Sequence, residues 1–241
     1  MSARVPRESP ARNRSKYGVF AFVAVMTAYV LYHNERFLID PSDPEWPHIS
    51  TFKWWLLPHA VAGASALLLA PMQFSDRLRR RYARLHRVVG RVYVGGVLVL
   101  APLGAYIQYF EERLGTPRSF TILTGVDAAL LIVTTVVALT FAVRRKIGQH
   151  RQWMTRSYAV GLVFFEGRFI LGVTGWESSV ELTEAVTWSC LACAILFADL
   201  ANNWFEIRSA ATFSASAPRP LAPGVRDQVE GPIGRGQPAG S

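Results

Sequence analysis

Long uncharged stretches constrain this chain more than any other feature. Apolar residues make up 51% of the 241, and the charged 18% are gathered into a few blocks. A bilayer core of about 30 Å takes roughly 20 helical residues. Six stretches meet or approach that length: Tyr17–Tyr32, Thr51–Phe74, Val88–Phe110, Phe120–Val143, Met154–Thr174 and Thr183–Phe205. The first is short, and no small-x-small cleavage site follows it, so it reads as a retained span. The expectation is an all-α, polytopic membrane protein with six transmembrane helices.

The blocks between the spans set the topology. Residues 1–16 carry five Lys or Arg, residues 76–91 seven and residues 144–156 five; the alternate connections carry two, two and none. That positive-inside alternation places both termini in the cytoplasm of a protein of the cell membrane. It also explains the net charge of +9 without a nucleic-acid partner. Residues 1–16 read as a basic disordered end, 17–207 as the transmembrane domain, and 208–241, rich in Ala, Ser, Pro and Gly, as a disordered tail. Residues 33–53, with three prolines near Asp40 and Asp43, read as an extended loop. Trp54 and Trp55 fit an aromatic belt. Cys190 and Cys193 lie within the last apolar stretch, where two small residues on one helix face serve packing.

One motif occurs twice. Arg80–Arg87 and Arg144–Arg151 both read RR-x4-HR, 64 residues apart. Arg91 and Tyr93 follow the first, and Arg156 and Tyr158 follow the second with one extra residue. Spans two-three and four-five thus share one topology. They form a four-helix core of two parallel-related hairpins about an axis along the membrane normal. Ala60–Ala64, Gly90, Gly95 and Gly96 permit close helix approach.

Two groups of residues could carry function. His86 and His150 start equivalent helices at the same depth. Facing imidazoles in a bundle can ligate a metal or a haem b iron axially. Arg80, Arg81, Arg87, Arg144, Arg145 and Arg151 would then hold propionates. The outline is similar to di-haem cytochrome b561-type proteins, although Leu123 stands where a second symmetric histidine would be needed. The same residues serve equally as interface anchors or as contacts to anionic lipid headgroups. The second group is His59, Asp127, Glu166 and Arg168, at similar depth toward the other face. Intramembrane ionisable groups at one level suggest a polar site, with Asp127–Arg168 as an ion pair and His59 as its titratable member. Such a site suits a small proton-coupled transporter or permease. A structural network that sets helix register is the alternative. No P-loop, GxSxG, HExxH or dinucleotide fingerprint occurs.

His59 with its small-residue run, Arg84-Leu85-His86-Arg87 followed by Gly90-Arg91 and Tyr93, and His150-Arg151 followed by Trp153-Met154 and Arg156-Ser157-Tyr158 resemble the domain of unknown function 2306 family of bacterial membrane proteins. The resemblance covers about residues 55–200. It implies a multi-pass membrane protein and carries over no catalytic residue.

Overall fold

The computed structural model describes residues 10–33, 40, 42–44, 46–177 and 179–216. Every regular element among them is helical: α1 (Pro10–His33), α2 (Trp46–Ile49), α3 (Lys53–Gln73), α4 (Asp76–Arg81), α5 (Ala83–Arg113), α6 (Arg118–Val143), α7 (Ile147–Thr174) and α8 (Val180–Ser216). The chain divides into two units, and the division falls within α8, after Asn202.

Five helices are long and apolar enough to cross a membrane: Lys53–Gln73, Ala83–Arg113, Arg118–Val143, Ile147–Thr174 and Val180–Trp204. The expected count of six is not reached on this measure. The apolar part of α1, Gly18–His33, is shorter, about 24 Å at 1.5 Å per residue. Only 17% to 39% of each span's apolar window is buried inside the protein. Val61, Leu68, Val133, Leu196 and Phe197 are among the many large apolar side chains facing outward. In water such a surface would drive aggregation, whereas in lipid it is the solvent-facing side.

Four helices close a ring. α3 packs on α5, α5 on α6, α6 on α7, and α7 returns to α3. The two hairpins, α3–α5 and α6–α7, are therefore neighbours, and α5 and α7 lie on a diagonal. This is the expected core. α1 lies along α7: Phe22 and Tyr29 stack edge-on against Phe169 at 6.0 and 5.2 Å. α8 packs on the other side of α7. The would-be Cβ of Gly167 lies 3.3 Å from Thr187 Oγ1, and Arg156 donates to Asp199 at 2.7 Å.

Three segments depart from expectation. Residues 10–16, expected disordered, are helical, as are 208–216; residues 1–9 and 217–241 lie outside the described residues. Pro10 opens α1, where its missing N–H costs nothing. Ala210 and Ala211 favour continuation of α8. The connection before α3 is not extended throughout. Asp40 closes a side-chain turn with Ser42, accepting from its N–H at 3.0 Å, and Trp46–Ile49 makes one helical turn. Burial of Ile49 and Phe52 holds that turn down, with Phe52 against Phe110.

Candidate functional site

The basic turns differ in construction. After α3 the chain breaks at Phe74. Ser75 then caps α4 by accepting from the Leu78 N–H at 3.2 Å. α4 ends at Tyr82, outside helical conformation, and α5 begins. The second turn is tight. Arg145 adopts the left-handed region at φ 58°, and the Lys146 N–H returns to the Phe141 carbonyl at 2.9 Å, a helix-terminating loop usually built on glycine.

These turns bring His86 and His150 to one small cleft. Gln73, Phe74, Arg79, Arg151 and Met154 complete its lining. The two imidazoles are within electrostatic reach of each other and of Arg79. They are held differently. His150 Nδ1 donates to the Ala138 carbonyl of α6 at 2.9 Å. His86 Nδ1 is buried with no hydrogen-bond partner. The Gln73 amide nitrogen and the Tyr158 hydroxyl are likewise buried and unpartnered. Tyr158 borders this region, its ring 5.8 Å from that of Phe74. Gly90 makes room for Gln73, since a Cβ there would meet its Oε1 at 3.2 Å.

Seven residues along α5 and α7, about two turns and 10 Å from the histidines, the axis is closed. Tyr93 Oη and Ser157 Oγ are 2.7 Å apart, and Ser157 Oγ is 2.7 Å from Thr135 Oγ1. Thr135 in turn donates to the Leu131 carbonyl at 2.7 Å. Tyr93 and Ser157 are 64 residues apart, the motif spacing. Two pairs at that spacing, His86 with His150 and Tyr93 with Ser157, thus meet between the diagonal helices.

Of the arginines singled out from the motif, Arg151 lines the cleft. Arg87 turns back to the Ala83 carbonyl at 3.3 Å. Arg80, Arg81, Arg144 and Arg145 are exposed around it. The cleft's volume is about 30 Å³, room for about two waters. Axial ligation by both rings would require the flat macrocycle to enter between α5 and α7, which the Tyr93–Ser157 contact holds together. The histidine chemistry suits iron, but the space does not, and a haem does not fit here. Among the described residues no group of three or more His, Cys, Asp or Glu is placed to hold a metal ion.

The second group of residues does not assemble. His59 Nδ1 donates to the Leu100 carbonyl of α5 at 3.0 Å, and its ring fills the space left by Gly104. Glu166 is directed to the α8 side, within electrostatic reach of Cys190. Arg168 is on the exposed side of α7. Asp127 is 5% exposed on the inner face of α6, and its Oδ1 has no partner. The expected Asp127–Arg168 ion pair does not form. Their expected common depth does not bring them into contact with one another among the described residues.

Sequence reasoning missed Gln73, Phe74, Arg79, Ser157 and Thr135. Gln73 carried a signal, as an amide at the end of an apolar span. Ser157 carried another. Strict application of the 64-residue register pairs it with Tyr93, whereas matching like with like picked Tyr158.

No curated protein and no solved structure matches the chain. A family model described as "Predicted membrane protein (DUF2306)" matches residues 56–202, from α3 through the last transmembrane helix. That match spans more than half the chain and includes both histidines and both basic turns, so this multi-pass protein belongs to the DUF2306 family of predicted membrane proteins.

Proposed function

We propose that the protein is a non-catalytic membrane component that seats an oxygen of an anionic lipid's phosphate at the mouth of the cleft between His86 and His150. One observation carries this reading: two buried groups able to donate, Gln73 Nε2 and His86 Nδ1, lack protein partners in the lining of one cleft. Buried polar groups are nearly always satisfied, so two orphans in one lining point to a ligand that accepts. Arg79 and Arg151 on the rim supply charge-assisted donors suited to phosphate oxygens. The same positive field disfavours a bare metal cation. A cleft at the basic end of the bundle, with exposed Arg80, Arg81, Arg144 and Arg145 around it, lies at headgroup depth in the negatively charged cytoplasmic leaflet. On this reading both termini are cytoplasmic.

Thermal unfolding in detergent tests it. Phosphatidylglycerol at a concentration well above its Kd is expected to raise the midpoint by several degrees, because ligand bound only to the folded state stabilises by about 2.7 kcal/mol at 100 Kd. Phosphatidylcholine should do far less. Arg151→Gln with Gln73→Leu should remove most of the gain and leave the unliganded midpoint close to wild type. Inorganic phosphate at matched ionic strength separates the sources: an equal shift would reassign the cleft to free phosphate. No shift with any anion would overturn the reading, as would a Soret band in the purified protein.

A further inference from the structure

Asp127 is unused by the cleft and by the packing that forms it. It lies on the inward stripe of α6 with Leu123, Thr124, Leu131 and Thr135, all buried. It is about 13 Å along the helix from Arg118, toward the end opposite the basic turns. Its short side chain cannot snorkel to water as Lys and Arg do. Oδ1 has no hydrogen-bond partner, and among the described residues no ion pair reaches the carboxyl.

The ionisable groups nearest this level on the surrounding helices are directed elsewhere. On α5, Tyr106 stacks on Trp55 of α3 at 5.0 Å, and Glu111 takes His48 at 3.1 Å. On α7, Glu166 is directed to the α8 side and Arg168 lies on the exposed flank. On α3, His59 is engaged with Leu100. The hydroxyl of the adjacent Thr124 is committed to the Phe120 carbonyl at 3.0 Å. An unpaired carboxylate in so dry a place is far costlier than a carboxylic acid.

We infer that Asp127 is a neutral, proton-carrying carboxylic acid inside the bundle, a proton-binding site that is open to apolar reagents and closed to aqueous ones. The bundle therefore stores one proton at this level. Releasing it requires a partner cation or water to enter beside Oδ1, so the proton state and the opening of the α5–α6–α7 wall are linked. This rests on Asp127 alone and is independent of the anion cleft.

Dicyclohexylcarbodiimide tests the inference directly. A protonated carboxyl adds across one C=N bond: the acid proton goes to nitrogen, the oxygen bonds to the central carbon, and nothing leaves. In full-length protein in detergent, mass spectrometry of the α6 peptide should find the adduct on Asp127. The adduct should still form at pH 8, where a carboxyl open to water is ionised and unreactive. A water-soluble charged carbodiimide should leave this peptide unlabelled. Asp127→Asn should abolish the adduct and keep or raise the thermal midpoint, because the amide replaces a neutral acid. Three results would each overturn the inference: no adduct on folded wild-type protein, equal labelling by the charged reagent, or a midpoint lowered by many degrees in Asp127→Asn, which would mean that the carboxylate is ionised and paired.

Discussion

The two hairpins of the ring have the same topology and are held together by different means. Between α3 and α5 the contact is backbone on small residues. A Cβ on Gly96 would lie 2.7 Å from Ser65 Oγ and 3.0 Å from the Ala62 carbonyl, and one on Gly63 would lie 3.2 Å from Leu100. Between α6 and α7 the contact is polar side chains reaching across: Thr135 to Ser157 and His150 to the Ala138 carbonyl. Here a Cβ on Gly161 would meet Leu131 at an ordinary 3.6 Å. The turns differ likewise, one built through α4 and one pinched through Arg145. A repeat in sequence therefore conserves direction and depth, while each copy finds its own adhesion. Equivalence survives at the axis between α5 and α7.

That contrast can be broken in four ways. The largest effect is expected for Gly96→Leu. The side chain would enter a backbone carbonyl that cannot rotate away, costing about 3 kcal/mol or preventing folding; thermal unfolding in detergent measures it, against Gly161→Ala, which should stay within about 0.5 kcal/mol of wild type. Equal penalties would erase the distinction between the hairpins. Next comes Ser157→Ala, which strands the Tyr93 hydroxyl in a dry interior and should cost about 1 kcal/mol, in line with interhelical hydrogen bonds in membranes. Tyr93→Phe in the same background should recover most of that loss, and a double-mutant cycle reads the coupling.

The histidines should separate third. His150→Ala deletes a bond to Ala138 and should cost about 1 kcal/mol. His86→Ala removes an unpartnered ring nitrogen and should be nearly neutral in the absence of lipid, yet lose the lipid-dependent rise in midpoint. Identical behaviour would show that the structure's asymmetry between them is immaterial. The smallest effect is Arg145→Gly. It relieves a left-handed backbone at a position where side chains cost about 1 kcal/mol, and part of that gain is returned as unfolded-chain entropy. A rise of a few tenths of a kcal/mol is expected, with Arg145→Val falling on the other side.

Much of the architecture was legible in the sequence because hydropathy and charge report position along the membrane normal. The five long apolar helices and the two basic turns between them follow from that one coordinate. What depth cannot give is direction around the bundle. His59, Asp127, Glu166 and Arg168 are grouped in sequence by an expected common level, yet His59 faces α5, Glu166 faces α8 and Asp127 faces the interior. The histidines did meet, because the repeat register supplies the missing angle for residues near the axis. α4 was not legible: Ser75 capping Leu78 starts a helix within what reads only as a run of charge. The first apolar stretch was legible as short, since its helical part, Gly18–His33, falls below spanning length.

The partner of that short helix has a consequence for how the protein is made. Tyr29 packs against Gly172 of α7, 143 residues later in the chain. At a synthesis rate of about 5–20 residues per second, α1 waits roughly 7 to 30 s for α7 to emerge. Through most of that interval it can make only a partial contact, Phe20 against Phe74 at the end of α3 at 6.1 Å. α7 ends the wait twice over, because its arrival both completes the ring and presents the surface on which α1 lies. The first helix made is thus among the last to be secured, and slowing translation between α1 and α7 should deplete the correctly inserted chain more than slowing it afterwards.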